Sequence, residues 1–271
     1  MLTSRRAIAP PKWHAGHRHA ILLFAMLLEA CVDTLTSALR AEAGGADRIE
    51  LCADLADAGT TPSHGVLQLA LERLGIPIFP MIRARGGGFV CGDDDRAVMR
   101  ADLRHARQLG APGAVVGALT PAGDVDADFA ATLRDDARGM QLTFHRAFDV
   151  CRDPRTALDA LIRLGFDRVL TSGQAAAAWE GRRLLSELVS QATGRITVMA
   201  GGGITEANIA DLIAATGVRE VHVRGTALER DAGPAHRIPF RKPLPADELV
   251  RAITLPDRVA KIRAAAELGN R

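Results

Sequence analysis

Apolar and polar positions along the chain follow a repeating order, in which a stretch of helical periodicity is followed by a short apolar run. The clearest helical stretches cover Asp93–Leu109, Asp153–Leu164 and Gly181–Ala192. Glycine just past a helix end readily adopts the left-handed backbone conformation that ends many helices. Spacings of 23 to 35 residues between successive glycines indicate a repeating strand–helix unit, and these glycines are Gly45, Gly75, Gly110, Gly139, Gly165, Gly194 and Gly217.

Eight short apolar runs are predicted as β-strands. Strands that alternate with helices form a parallel sheet, and eight such units close into a barrel. We therefore predict an α/β protein with a single (β/α)8 TIM barrel. An open doubly wound sheet is the alternative, but no G-x-G-x-x-G motif follows the first strand. The predicted strands are Leu27–Val32, Arg48–Leu51, Ile76–Ile82, Ala114–Gly117, Gln141–Phe144, Arg168–Thr171, Ile196–Ala200 and Glu220–Val223.

The barrel is predicted to occupy residues 26–271. After about residue 228 the pattern becomes a proline-rich loop, which a closing helix over Pro256–Leu268 follows. Residues 1–25 are predicted to be an unstructured N-terminal extension. The apolar run at 21–28 resembles the core of a signal peptide, but its second half fits better as the start of the first strand.

The charge balance and the cysteine content narrow the classes of function. The 271 residues carry a net charge of +2, which gives no broad basic surface for nucleic acid. No apolar run reaches the roughly 18–20 residues that a membrane helix needs, so no membrane partner is expected. The four cysteines include no C-x-x-C pair, which predicts reduced thiols and a cytoplasmic location.

Several predicted strands have one apolar face and one polar face, because strand side chains alternate in direction. In the first strand Leu28 and Ala30 face one way, whereas Glu29 faces the other. Barrel active sites lie at the carboxyl ends of the strands, so the polar faces are predicted to meet at that mouth. Structural ion pairing within the set is the alternative. The predicted polar constellation contains Glu29, Glu50, Arg83, His145, Arg146, Asp149 and His222.

These residue types suggest a division of roles. Glu29 or Glu50 would act as a general base and His145 as an acid or proton shuttle, with Asp149 as a further catalytic candidate. Three basic side chains would bind the ligand, in particular a negatively charged group on it. They are Arg83, Arg146 and His222.

Two glycine-containing loops follow late strands. Ser172 lies in the loop after the sixth strand, and Gly201, Gly202 and Gly203 follow the seventh strand, with Thr205 as the predicted N-cap of the next helix. Exposed backbone N–H groups at a helix N-terminus bind anions, and late loops of barrels often bind phosphate. Both loops are therefore predicted to bind an anion, although tight turns that need glycine are the alternative.

Cysteines recur at one position on the first two strands. The motifs Glu29-x-Cys31 and Glu50-x-Cys52 have the same spacing, and neighbouring strands lie about 4.8 Å apart. Two thiolates could therefore hold Cu(I), a soft metal ion. Buried cysteines without a metal are the alternative, and the spacing leaves both open.

Several longer motifs can be compared with those of known families. These motifs are Leu28–Asp33, Gly44–Cys52, Gly59–Ser63, Thr143–Asp149, Arg168–Gly173 and Met199–Ile204. In this order they resemble the CutC copper-homeostasis family, from about Leu27 to His222. The resemblance implies a TIM barrel, a cytosolic location, self-association as a homodimer or higher homo-oligomer, and a link to copper. It also implies that Cys31 and Cys52 are Cu(I) ligands. In the family pattern R-P-R-G-G-D-F, Gly88 replaces the aspartate here.

Three hypotheses follow for the function. The first is a cytosolic protein of copper homeostasis that binds Cu(I) through Cys31 and Cys52. The alternative is a TIM-barrel enzyme, of lyase, isomerase or hydrolase type, acting on a small anionic or sugar-like metabolite. A Schiff-base mechanism is disfavoured because no lysine lies on a predicted strand. The third is a non-catalytic dimeric scaffold.

Overall fold

A computed structural model describes residues 26–233 and 249–269, and the elements follow the predicted alternation of strands and helices. Within these ranges the strands are β1 Leu27–Val32, β2 Arg48–Leu51, β3 Ile78–Pro80, β4 Gly113–Val116, β5 Gln141–Phe144, β6 Arg168–Thr171, β7 Thr197–Gly201, β8 Glu220–Val223, β9 Thr226–Arg230 and β10 Val250–Thr254. The α-helices of the described residues are α1 Leu35–Ala43, α2 His64–Arg73, α3 Asp93–Gln108, α4 Ala127–Asp136, α5 Pro154–Arg163, α6 Arg182–Ala192, α7 Ile209–Thr216 and α8 Pro256–Gly269.

Strands β1 to β8 form one parallel sheet in the order β3-β2-β1-β8-β7-β6-β5-β4. A parallel bridge between Met81 and Val115 joins its two outer strands, and Ile82 N–H donates to Val115 O at 2.8 Å. The sheet therefore closes on itself, and the predicted (β/α)8 barrel is confirmed. Six of the seven glycines predicted to end helices have positive φ; Gly75 is the exception.

Two separate apolar clusters show which way the strand side chains point. Leu28, Ala30 and Ile49 belong to a large cluster with the surrounding helices. A small cluster inside the barrel consists of Cys31, Cys52, Phe79, Met81 and Val115. The sulfur-bearing face of β1 therefore points inward, as the alternation predicts, and the polar residues on that face enter the barrel with it.

Strands β3, β4 and β7 differ from their predicted bounds by one or two residues at each end, and two larger differences follow. After β8 the chain forms β9, which pairs antiparallel with β10, so part of the region predicted as a loop is a hairpin. Helix α7 begins at Ile209 rather than directly after the glycine loop, so Asn208, and not Thr205, precedes its first turn. The predicted extension over residues 1–25 and the four prolines of the predicted loop lie outside the described residues.

The last helix confirms the prediction of a closing helix after the loop. Helix α8 packs against α7 and α1, which places it beside the last barrel helix and the first. Along the part of the chain that the structure describes, every helix is too short or too polar to cross a bilayer.

Candidate functional site

A cavity of about 730 Å³ opens at the carboxyl ends of the barrel strands, and we call it the mouth pocket. Six of the seven residues of the predicted polar constellation line it, so residues far apart in sequence do converge at the barrel mouth. Residues from the loops after several strands complete its wall. The polar and sulfur-bearing lining residues are Cys31, Glu50, Met81, Arg83, His145, Arg146, Asp149, Thr205, His222, Arg224, Thr226 and Arg258.

Glu29, the seventh residue of the constellation, lies deeper in the barrel and does not line the pocket. Its carboxylate pairs with the Arg48 guanidinium, and Arg48 Nη2 also donates to Glu220 Oε2 at 2.6 Å. Arg168 Nε donates to the same Glu220 oxygen at 3.0 Å. We call these four residues the ionic floor, because they form a buried network of alternating charge beneath the pocket. The geometry gives Glu29 a supporting position, away from any ligand in the pocket.

An aromatic ring completes the ionic floor. The Arg48 and Arg168 guanidinium carbons lie 5.1 and 5.3 Å from the centroid of the Phe79 ring, within the range of cation–π attraction. Arg48 was not among the sequence candidates. Its position opposite Ile49 in the alternation of β2 is the signal that could have identified it as an inward charge.

Glu29 connects the ionic floor to the pocket through His222. Glu29 Oε1 accepts from His222 Nδ1 at 2.8 Å, while His222 Nε2 lies 3.6 Å from Glu50 Oε2. Burial alone would raise the pKa of Glu29, but Arg48 and His222 outweigh it and hold that pKa at about 2. Burial likewise opposes the charge on His222, yet the Glu50 carboxylate and its neighbours raise the His222 pKa well above its ordinary value. The His222 ring is thus held in a fixed orientation between the Glu29 and Glu50 carboxylates.

Cys31, Glu50 and His222 form a compact group at the base of the mouth pocket. One ligand atom from each lies within 4.8 Å of the other two, which would permit a shared metal ion. The Cys52 thiol lies beside this group and donates to Glu50 Oε2 at 3.6 Å. Cys52 as a hydrogen-bond donor, together with His222, holds the pKa of the Cys31 thiol well below its ordinary value. Burial, together with Cys31, raises the pKa of Glu50.

His145 is buried and only 3% exposed, at the end of β5. Its Nδ1 accepts from Ala147 N–H at 3.1 Å, so the proton of the neutral ring lies on Nε2. Burial, with the nearby Arg83 charge, lowers the His145 pKa to about 3. A neutral imidazole at ordinary pH is a hydrogen-bond donor rather than a strong acid, which changes the role predicted for this residue. Gly117 leaves room for the ring, because a Cβ there would lie 2.4 Å from His145 Cε1.

Arg83 holds loops as well as facing the pocket. Its Nη1 donates to Asp57 O and Gly59 O at 2.8 and 2.9 Å, and its Nη2 donates to Gly87 O at 2.7 Å. Backbone carbonyls thus accept from three of the five guanidinium N–H groups, and Nε and one N–H of Nη2 remain for a ligand. The arginine tethers the glycine loop that follows β3 to the loop after β2.

Asp149, Arg146 and Ser172 form a second connected group across the loops after β5 and β6. Asp149 Oδ1 accepts from Thr171 Oγ1 at 2.5 Å and from Ser172 N–H at 2.9 Å. Arg146 Nε donates to Asp149 Oδ2 at 2.6 Å, and its Nη2 donates to Ser172 Oγ at 2.9 Å. Asp149 is therefore largely engaged in holding the loop after β6. Arg146 presents its remaining edge to the pocket.

The glycine loop after β7 contributes two of its three glycines to the pocket. Gly202 and Gly203 line the cavity and have φ values of +102° and +66°. Gly201 lies in β7, where a Cβ would meet Leu170 Cδ1 at 2.6 Å, so packing inside the barrel requires this glycine. The loop therefore combines one packing glycine with two that shape the cavity wall.

The sequence of the chain is similar to those of one protein family. A model of the CutC family matches residues 26–227. The chain belongs to the CutC family. The copper homeostasis protein cutC homolog of Homo sapiens is 49% identical over 207 residues, which cover 76% of each chain. The CutC family protein of Pasteurella multocida is 46% identical over 211 residues, covering 78% of this chain and 86% of that protein.

A solved CutC structure agrees with the fold. The copper homeostasis protein CutC of Streptococcus agalactiae superposes with a TM-score of 0.71 and 36% sequence identity. The match covers 73% of this chain and 98% of that one. The CutC relationship therefore extends over the whole barrel, and the family resemblance noted on the motifs is confirmed.

Proposed function

We propose that this CutC-family protein binds Cu(I) at the base of the mouth pocket, through the thiolates of Cys31 and Cys52. The observation that carries the proposal is the position of Cys31, whose buried thiol lines the pocket and lies beside Cys52, Glu50 and His222. Thiolate ligands favour soft ions, and Cu(I) is the soft ion for which two sulfur ligands suffice. The name of the human relative, a copper homeostasis protein, supports the same assignment.

The surroundings of the thiols suit a thiolate. Metal binding requires deprotonated cysteine, and the lowered pKa of Cys31 reduces the cost of losing its proton. Cys52 has a raised pKa because of its hydrogen bond with Cys31 and its burial, so its proton is released only when the metal binds. The His222 ring, oriented by Glu29, provides positive charge next to the Cys31 sulfur.

A competition titration tests the proposal. Anaerobic protein is titrated with Cu(I) against a chelator of known affinity, and Cys31→Ala and Cys52→Ala are each expected to weaken binding by about 100-fold or more. Cys91→Ala is the matched control, because Cys91 is a thiol that does not line the mouth pocket. Equal affinity in the wild type and both pocket variants would refute the proposal.

The identity of the ligands has a separate readout. X-ray absorption of the Cu(I)-loaded protein is expected to show two sulfur neighbours. One sulfur and one nitrogen would instead assign the second position to His222, whose Nε2 faces Cys31 and Glu50. That result would contradict the role proposed for Cys52 while leaving copper binding intact.

We further propose a cytoplasmic location and assembly as a homodimer or higher homo-oligomer. The absence of a dense cysteine framework supports a reducing compartment. Light scattering on the purified protein measures the assembly, and fractionation of cells measures the location. A monomeric mass at micromolar concentration, or recovery of the protein outside the cytoplasmic fraction, would contradict the respective part.

A second candidate function is an enzyme that acts on a small polar metabolite. The observation that favours it is the size of the mouth pocket, about 730 Å³, which lies within the range of small-molecule sites and far exceeds the needs of one ion. Glu50 would be the general base, and His145 would donate a hydrogen bond from its neutral ring. Lyase, isomerase and hydrolase reactions all remain candidates.

Turnover in a metabolite screen tests this second function. The wild type is expected to convert at least one metabolite, and Glu50→Gln is expected to reduce kcat by about 100-fold or more while the protein remains folded. Glu187→Gln is the control, since Glu187 lies on α6 at the surface. Unchanged turnover in Glu50→Gln would exclude Glu50 as the base.

A further inference from the structure

Three residues that line the mouth pocket each carry a buried polar atom without a hydrogen-bond partner. These atoms are Glu50 Oε1, Arg83 Nε and His145 Nε2, and no residue in the described ranges 26–233 and 249–269 bonds to any of them. Leaving a buried donor or acceptor unpaired costs roughly 1–3 kcal/mol, so native proteins rarely leave several at one place. Three such atoms on three different segments around one cavity point to a ligand that pairs with them.

The two residues that carry the unpaired N–H donors both contact one aromatic ring, that of Phe89. The His145 ring centroid is 5.2 Å from the Phe89 ring centroid, and the Arg83 guanidinium carbon lies 5.2 Å from the same point. The proton on His145 Nε2 follows from the acceptor role of Nδ1, and Arg83 Nε always carries a proton. Two pocket-lining residues that share the Phe89 ring therefore each carry an unpaired N–H donor, one neutral and one cationic, and a carboxylate has an oxygen for each.

Charge along the pocket wall also favours an anion. Arg83, Arg146, Arg224 and Arg258 all line the cavity, against the carboxylates of Glu50 and Asp149. Asp149 is paired with Arg146, so its negative charge is neutralised within the pocket wall. Arg258 lies 3.8 Å from the Glu206 carboxylate, so Arg83 and Arg224 remain to attract an anionic ligand.

We propose that the mouth pocket binds a small hydroxy acid, whose carboxylate accepts from His145 Nε2 and Arg83 Nε and whose hydroxyl pairs with Glu50 Oε1. Each of the three unpaired atoms then gains a partner. The inference rests on the second candidate function and names its substrate class, but it concerns binding alone. Phe89 would hold both donors in place, as the ring that contacts each of them.

Binding of matched small molecules tests the proposal. Isothermal titration measures lactate and malate as hydroxy acids, propionate as an acid without the hydroxyl, glycerol as a neutral polyol, and inorganic phosphate. The wild type is expected to bind the hydroxy acids, to bind propionate about 10-fold more weakly than lactate, and to show no saturable binding of glycerol.

The variant His145→Asn removes the Nε2 donor and keeps a side-chain oxygen that can accept from Ala147 N–H. It is expected to weaken hydroxy-acid binding about 10- to 100-fold, which is the effect of losing one hydrogen bond to a charged group. His64→Asn is the control, because His64 is exposed on α2, bonds to His105 and does not line the mouth pocket. Circular dichroism and a melting curve show whether each variant is folded.

Several results would overturn the proposal. No binding of any hydroxy acid to the folded wild type would refute it, and so would equal affinity in His145→Asn. Binding of inorganic phosphate without binding of carboxylates would show a general anion site and refute the assigned class. Binding without turnover of these or any other metabolites would leave the proposal standing and would remove support for the enzyme hypothesis.

Discussion

The ionic floor and the mouth pocket use the same kinds of side chain in opposite ways. In the floor Glu29, Arg48, Glu220 and Arg168 alternate in charge, and both carboxylates are bonded to arginine. Two residues further along β1 and β2, Cys31 and Glu50 line a cavity instead. Three buried atoms on residues that line this cavity have no partner among the described residues.

The difference separates structural charge from functional charge. Buried ion pairs can be explained by folding alone, and of the buried side-chain atoms of the floor only Arg168 Nη1 lacks a partner among the described residues. The three unpaired atoms of the pocket instead require a ligand or a cost in stability. His222 joins the two regions, because one ring nitrogen bonds to Glu29 of the floor and the other faces Glu50 of the pocket. We therefore expect substitutions in the floor and in the pocket to change the free energy of unfolding by different amounts.

The largest expected effect is in the floor. Arg48→Met removes the cation between Glu29 and Glu220 and leaves buried carboxylates short of a partner, which is expected to lower the free energy of unfolding by about 3–5 kcal/mol. Urea denaturation measures it. Arg138→Met is the control, because Arg138 is a surface residue with a single weak ion pair, and its expected effect is about 0.5 kcal/mol or less. A loss below about 1 kcal/mol in Arg48→Met would contradict a structural role for the floor.

The second prediction compares two identical substitutions. Glu29→Gln removes a carboxylate that bonds to Arg48 and His222, and a loss of about 2–3 kcal/mol is expected. Glu50→Gln removes a carboxylate that burial disfavours and whose Oε1 has no partner, so its effect is expected to stay within about 1 kcal/mol. Both are measured by chemical denaturation at pH 7. Equal losses would mean that the floor and the pocket do not differ in this way.

The third prediction concerns pH. The His145 pKa is lowered to about 3 in the folded protein, while an unfolded histidine titrates near 6.5, so below 6.5 the unfolded state binds a proton that the folded state does not. This contribution to stability is present above pH 6.5 and is lost as the pH falls toward 3. Between pH 6.5 and 5 the loss is about 2 kcal/mol. His145→Asn is expected to lack this part of the pH dependence, and parallel curves for the two proteins would exclude it.

The smallest expected effect on stability is at Thr143, inside the barrel. Thr143 is fully buried on β5, and its hydroxyl has no partner among the residues that the structure describes. Thr143→Val keeps the shape of the side chain and removes that unpaired hydroxyl, so a gain of about 0.5–1 kcal/mol is expected. A melting curve with denaturant titration measures it. A clear loss of stability would indicate that Thr143 has a hydrogen-bond partner after all.

Periodicity predicted the barrel well, because eight strands with one apolar face and regular glycines allow few other topologies. The same alternation placed Glu50, His145 and His222 correctly at the mouth. Alternation shows that a side chain points into the barrel but not how far it lies from the mouth. Glu29 was therefore expected at the mouth, whereas it belongs to the floor. The hairpin of β9 and β10 was missed because its pairing joins residues on either side of the proline-rich segment.

The sequence by itself determined the closed barrel, its inward polar face and its membership of the CutC family, because these depend on patterns of residue type that survive without coordinates. Only the tertiary structure decided which inward groups are satisfied and which are not. That distinction depends on stagger between strands and on distances of a few ångströms, such as the 2.8 Å that ties His222 to Glu29. Hydrogen bonds and ion pairs act over those distances, and sequence spacing does not resolve them.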